Sequence, residues 1–187
     1  RRTITQAVPL KATGMTMQFG GLIAVNDVNL TLKPGEITGL IGPNGSGKTT
    51  LMNMLSGVLV PTKGQFFQGK DELSGLTSHQ IADHGIARTF QNIRLFGNLS
   101  VFQNVLVAAL STRGGENAEG RANAALARMG VERHAIADAG TLSYGDQRRV
   151  EIARALACEP SLLFLEEPAA GMNREETDSL METLRRL

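Results

Sequence analysis

Ile37-Thr38-Gly39-Leu40-Ile41-Gly42-Pro43-Asn44-Gly45-Ser46-Gly47-Lys48-Thr49-Thr50 decides how this chain is read. An apolar, strand-like run from Ile37 to Ile41 leads into Gly42 to Thr49, which meets every fixed position of the pattern G-x-x-x-x-G-K-[ST], and a helical run from Thr49 to Val58 follows. Glycines let such a loop curl until successive N–H groups and a helix N-terminus point at phosphates, an approach that a Cβ would obstruct. The residues expected to contact a nucleoside triphosphate are Gly42, Pro43, Asn44, Gly45, Ser46, Gly47, Lys48, Thr49 and Thr50. Lys48 would reach the β- and γ-phosphates, and the Thr49 hydroxyl would ligate Mg²⁺. The competing reading is an ordinary glycine-rich turn.

Working outward, the chain divides into three blocks. Residues 1–77 form a nucleotide-binding core around the loop: Val28, Leu30 and Leu32 alternate with Asn29 and Thr31, and Pro34-Gly35 turns the chain into Ile37. Residues 78–140 read as a helical subdomain. Ser100-Val101-Phe102-Gln103 opens a helix with Phe102, Val105, Leu106 and Ala109 on one face; a loop spans Ser111 to Gly120, and the helix Arg121 to Met129 stops at Gly130. Residues 141–187 hold a helix capped by Ser143, a buried-strand candidate from Leu162 to Leu165, and a last helix capped by Asn173 with Leu180, Leu184 and Leu187 along one stripe.

The strand candidate runs directly into Glu166-Glu167-Pro168. At the C-terminal end of a parallel strand, such carboxylates share a crevice with a phosphate loop. One acid would hold Mg²⁺ and the next would act as general base; the bland alternative is two solvated acids.

Composition narrows the class. Nineteen Lys and Arg balance eighteen Asp and Glu in 187 residues, with no basic block, so neither a nucleic-acid surface nor a polybasic membrane surface is expected. A chain of this length suits one domain with a subdomain. The single Cys158 makes no internal disulfide and reads as a small core residue on a helix. Val105 to Leu110, the longest apolar run, is far short of a membrane span, and no apolar signal segment follows Arg1-Arg2-Thr3, so a soluble, non-exported protein is expected.

Leu142-Ser143-Tyr144-Gly145-Asp146-Gln147-Arg148-Arg149, continuing through Leu156, resembles the signature motif of ATP-binding cassette (ABC) ATPases; Gln91 in Arg88-Thr89-Phe90-Gln91-Asn92 resembles the Q-loop, and Ala170-Gly171-Met172-Asn173 the D-loop. With Phe19 to Val25 and Arg88 to Phe96, these motifs look like the ATP-binding subunit of branched-chain amino-acid importers and their urea or amide relatives, from Met15 to Leu187. The resemblance implies an α/β P-loop NTPase (RecA-like) fold with a mixed sheet core, a β-rich front and an inserted helical subdomain. It implies ATP and Mg²⁺ as cofactors, with two cassettes head to tail so that each ATP meets one subunit's P-loop and the other's Ser143, Tyr144 and Gly145. Phe19 would stack on adenine or, alternatively, belong to the core. Gln91 would sense γ-phosphate and Mg²⁺, and Glu167 and Gln91 would be catalytic. Transmembrane permease subunits would dock on the helical subdomain at the inner face of the cell membrane, and the cassette would never touch the transported substrate.

Three departures qualify this resemblance. Glu166 stands where the family has Asp, and its extra methylene moves the carboxylate by about 1.5 Å, which would disturb a near-octahedral Mg²⁺ shell. The family continues past Leu187 to a further strand and a switch histidine; His79, His84 and His134 all precede Glu166 and read as surface or loop residues, so the chain is expected to be C-terminally truncated. Arg174 replaces a usual proline and would loosen the last helix start. The alternatives are a nucleotide-binding module with little or no hydrolysis and a DNA-repair type ABC ATPase. The latter needs a long coiled-coil insertion that the stretch from Gln91 to Leu142 lacks.

Overall fold

The computed structural model describes residues 8–187, with Arg113 described by its backbone alone. It forms two compact units, one ending at Ile86 and the other spanning Ala87–Leu187.

The first unit is built on an antiparallel sheet of β1 (Leu10–Phe19), β2 (Leu22–Leu32), β3 (Lys63–Gln68) and β4 (Asp71–Glu72), in the order β2-β1-β3-β4. Alternation sets which face is covered: Leu10, Ala12, Met15 and Met17 of β1 are buried, and in β2 Val28, Leu30 and Leu32 are more enclosed than Asn29 and Thr31. The change of phase between Ala12 and Met15 is a bulge, where pairing with β3 also shifts between Thr13 and Thr16. Gly64 permits it, because a Cβ there would lie 2.5 Å from the Gly14 carbonyl oxygen. Helix α1 (Lys48–Leu55) buries Leu51, Met54 and Leu55, and the short α2 (Ser78–Asp83) is held by a reciprocal Thr77–Gln80 capping box.

In the second unit β5 (Ile86–Arg88), which begins at the boundary residue, pairs with β6 (Leu162–Phe164). Helices α3 (Val101–Ser111), α4 (Ala118–Met129) and α5 (Tyr144–Leu156) pack on one another, and α6 (Arg174–Arg185) adds Leu180 and Leu184 to their core. Val105, Ala109, Ala122, Leu126, Ile152 and Ala153 are buried in it. Ser100 and Gln103 form the expected capping box, and Gly130 closes α4 in the left-handed conformation.

Several expectations need correction. Ile37 to Ile41 is not a strand: it carries no ladder pairing among the described residues, and Ile41 is 92% exposed. An apolar run becomes a strand only where a neighbour takes up its backbone hydrogen bonds. Helix α4 starts three residues before Arg121, and the covered side of α3 includes Val101 and the polar Asn104, while Phe102 and Leu106 are only partly buried. The Leu162–Phe164 strand is half-buried rather than buried, and Leu187 lies beyond α6 and is exposed. Arg174 does not loosen α6, whose start is fixed by mutual Asn173 and Glu176 bonds. His84 is a loop residue as expected, in the turn that ends α2, with its side chain half-enclosed 3.8 Å from Asp71. Cys158 lies just past the α5 cap, its thiol donating weakly to the Ala108 carbonyl, and burial raises its pKa.

Candidate functional site

The phosphate loop is made by backbone geometry. Gly45 and Gly47 have φ of 81° and 89°, and a Cβ on Gly47 would lie 2.4 Å from the Ala24 carbonyl oxygen, so only glycine fits. Gly47 caps α1 with no side-chain hydrogen bond, the arrangement in which the first-turn N–H groups serve an anion. Lys48 curls over the loop, its ammonium donating to the Gly42 and Pro43 carbonyls at 2.7 Å each. Asn44, Ser46, Thr49 and Thr50 lie in the loop and the first turn of α1. Phe19 ends β1 with 48% of its surface exposed, which leaves its ring open to a flat ligand.

The second unit gathers the acids. β6 delivers Glu166 and Glu167. The Glu166 carboxylate accepts from Arg88 of β5 at 2.8 Å, and these side chains are only 10% and 6% exposed. Glu167 takes a left-handed φ of 44° immediately before Pro168, a conformation that costs a non-glycine residue roughly 1–3 kcal/mol. Its Oε2 accepts from the Gln91 side-chain amide at 3.1 Å. Gln91 and Glu167 are thus brought together, while the neighbouring Glu166 turns to Arg88.

Ser143 caps α5, its hydroxyl oxygen accepting from the Asp146 N–H at 3.2 Å and donating to the Asp146 carboxylate at 3.1 Å. His134 approaches the same carboxylate at 3.5 Å. Tyr144 is exposed and Gly145 is buried; a Cβ on Gly145 would meet the Glu176 carboxylate at 3.2 Å.

Sequence reasoning missed the residues that join α5 to the Gln91 segment within the second unit. Arg148 is wholly buried (0% exposed) and donates to the carbonyls of Phe90 at 2.8 Å and Gln91 at 2.5 Å, to Glu151 at 2.7 Å and to the Tyr144 hydroxyl at 3.2 Å. Glu151 also accepts from the Arg94 N–H at 3.4 Å, and Arg154 donates to the Arg94 carbonyl at 2.6 Å. Burial lifts the Glu151 carboxyl above its usual range against the pull of Arg148, and burial draws Arg154 down against the pull of Glu151. The signal was present, for charges at 148, 151 and 154 fall on one helical face among Val150, Ile152 and Ala153. Nothing in the sequence alone says what they face.

The donors suit Mg²⁺ in kind, since Glu166, Glu167 and the Gln91 amide offer hard oxygens and few of them; Mg²⁺ takes one or two carboxylates plus phosphate and keeps its waters. No cluster of three or more His, Cys, Asp or Glu fit for a metal exists among the described residues. No helix among them is long and apolar enough to cross a membrane.

Comparison with known proteins agrees with this geometry. The ABC transporter family model matches residues 25–170. The high-affinity branched-chain amino acid transport ATP-binding protein LivG of Escherichia coli K12 is 46% identical over 95% of this chain and 76% of its own length. Among solved structures, the ADP conformation of MJ1267, an ATP-binding cassette of an ABC transporter, superposes with a TM-score of 0.86 at 26% identity, covering 95% of this chain and 75% of that one. The dimeric, post-hydrolysis cassette MJ0796 bound to ADP and Pi has a TM-score of 0.80 at 30% identity, covering 95% and 82%. A phosphate loop on glycine geometry, a glutamine seated on a strand-end glutamate and a serine-capped signature helix, together with these matches, identify the chain as an α/β P-loop NTPase of the ATP-binding cassette family of ABC transporters.

Proposed function

We propose that this chain is the ATP-hydrolysing subunit of an importer for branched-chain amino acids or related amides, working as a pair of cassettes on membrane-embedded permease subunits. One observation carries the hydrolytic part: Gln91 donates to the Glu167 carboxylate at 3.1 Å while Glu167 is held in a strained left-handed backbone. A carboxylate fixed by a neighbouring amide can take a proton from water without first reorganising, which is the task of a general base. In this reading Lys48 and the loop peptides of Gly42, Pro43, Asn44, Gly45, Ser46 and Gly47 bind the phosphates of ATP, with Thr49 and Thr50 at the helix start. Phe19 stacks on adenine, and Ser143, Tyr144 and Gly145 present a helix N-terminus to the ATP held by the other cassette. Thr49, Gln91 and Glu166 would hold Mg²⁺, which when bound supplies charge neutralisation on the phosphates. Substrate class and membrane partners follow the 46% identity to LivG; the protein would then sit on the inner face of the cell membrane.

A second reading, a cassette that binds ATP and scarcely turns it over, is favoured by the Arg88–Glu166 ion pair, which commits the expected metal carboxylate to a guanidinium. Single-turnover hydrolysis with the cassette in excess over ATP separates the two. Hydrolysis that is abolished by Glu167→Gln, with ATP still bound, supports the first reading. ATP bound without product, in a protein whose Glu166→Asp variant then hydrolyses, supports the second.

A further inference from the structure

The expected roles leave the buried charges of α5 unused, although burying a guanidinium and a carboxylate together is costly; both Nη groups of Arg148 are engaged, and its buried Nε has no partner among the described residues. Arg148 and Glu151 are 0% and 2% exposed, so their chemistry is directed inward. Their partners are chiefly peptide groups of one segment: Phe90 O, Gln91 O and Arg94 N, with Arg154 adding Arg94 O. Side chains at 148, 151 and 154 recur every three residues along one helix and read the backbone of residues 90, 91 and 94. A segment lying outside any helix or strand is thereby hung on α5, at a place where its own backbone supplies no ladder.

Gln91 is the residue in which this matters. Its carbonyl is held by Arg148 at 2.5 Å, and its side-chain amide rests on Glu167 at 3.1 Å. The helix that carries Arg148 begins at Ser143, whose side chain caps it. Three covalent or hydrogen-bonded steps therefore run from the Ser143 end of α5, through Arg148, to the Gln91–Glu167 pair.

We propose that Arg148, oriented by Glu151, is a positioning residue that fixes Gln91 against Glu167 and makes the seating of that pair depend on the placement of the Ser143 end of α5. The proposal rests on the functional reading above in one respect. If Ser143 meets the ATP of the other cassette, then α5 links that ATP to the Gln91–Glu167 pair of its own chain. A guanidinium is suited to this because its planar fork can donate to two adjacent carbonyls and a carboxylate at once, which a lysine ammonium cannot do in the same geometry.

The test compares the full chain with Arg148→Lys and with the milder Arg154→Lys, using amide hydrogen exchange for positioning, and steady-state ATP hydrolysis and fluorescent ATP-analogue binding for function. In Arg148→Lys the Arg94 amide is expected to exchange roughly tenfold faster while the amides of Val150 to Ala153 keep their protection. The kcat should fall roughly tenfold with analogue affinity held within about twofold, since a displaced Gln91 harms the reaction and not the bound state. Arg154→Lys should loosen Arg94 alone and leave kcat within about twofold, and a loss of kcat as large as in Arg148→Lys would overturn the proposal. Should Arg148→Lys fail to fold, Glu151→Gln, which keeps the guanidinium but weakens the partner that orients it, should lower kcat in the same direction. An unaltered Arg94 amide in a folded variant would overturn the proposal, and so would protection lost equally along α5 or a loosened segment with kcat intact. Should the wild type bind ATP and hydrolyse none, the functional reading falls, and the exchange data alone decide whether Arg148 positions the segment.

Discussion

The phosphate loop in the first unit and the 89–94 segment in the second both fix functional groups outside regular structure, by opposite means. The loop relies on what is missing: Gly45 and Gly47 take left-handed φ, and a Cβ on Gly47 would lie 2.4 Å from the Ala24 carbonyl oxygen. The 89–94 segment relies on what is added, namely guanidinium groups at 148 and 154 that bind its carbonyls. A backbone device is damaged by enlarging a side chain, and an electrostatic device by deleting a charge. The two regions should therefore fail differently.

The largest effect is expected from Arg148→Met. Removing one member of a buried pair leaves Glu151 uncompensated and two carbonyls without their donor, which costs about 3–5 kcal/mol. Denaturant unfolding would measure it, and nucleotide affinity in the still-folded fraction should change little. A loss below about 1 kcal/mol would mean that the pair behaves like a surface ion pair and that the contrast between the regions is false.

Lys48→Ala should do the reverse. Its ammonium makes two carbonyl bonds within its own loop, at 2.7 Å each, so stability should barely move. Nucleotide affinity should fall by about 2–4 kcal/mol, roughly thirtyfold or more, because the charge proposed to meet the phosphates is gone. Titration with a fluorescent ATP analogue gives the number. Equal affinities for wild type and variant would remove the loop from the functional argument.

What was legible in the sequence follows the same division. The loop could be read because glycine and lysine at fixed spacing encode a backbone shape directly. Helix starts at Ser100, Ser143 and Asn173 could be read because a cap is a local bargain between a side chain and an N–H three residues on. Residues 37–41 were misread as a strand because a ladder partner is a tertiary fact. The pairing of Arg88 with Glu166 went unnoticed for the same reason: 78 positions separate them, and only the pairing of β5 with β6 makes them neighbours. The extra methylene of Glu166 was read as a defect in metal geometry; in the fold the same carboxylate bonds Arg88.

The smallest effect concerns pH and tests which force rules the buried pair. Glu151 has a raised pKa because desolvation outweighs the attraction of Arg148 and Arg154 and the Arg94 N–H. With the folded value above the unfolded one, the contribution of Glu151 to stability is fully present below the ordinary carboxylate range. It is lost as pH rises through the raised folded value, at no more than about 1.4 kcal/mol per pH unit for one proton. Glu151→Gln has no such proton to lose. Melting temperatures of wild type and Glu151→Gln, taken from acid to neutral pH, should therefore show the wild type losing ground to the variant across that window and then running parallel. If instead the wild type gains on the variant as pH rises, the ionised carboxylate is the favoured form. Arg148 would then dominate over burial, and the pair would stabilise the fold as well as position Gln91.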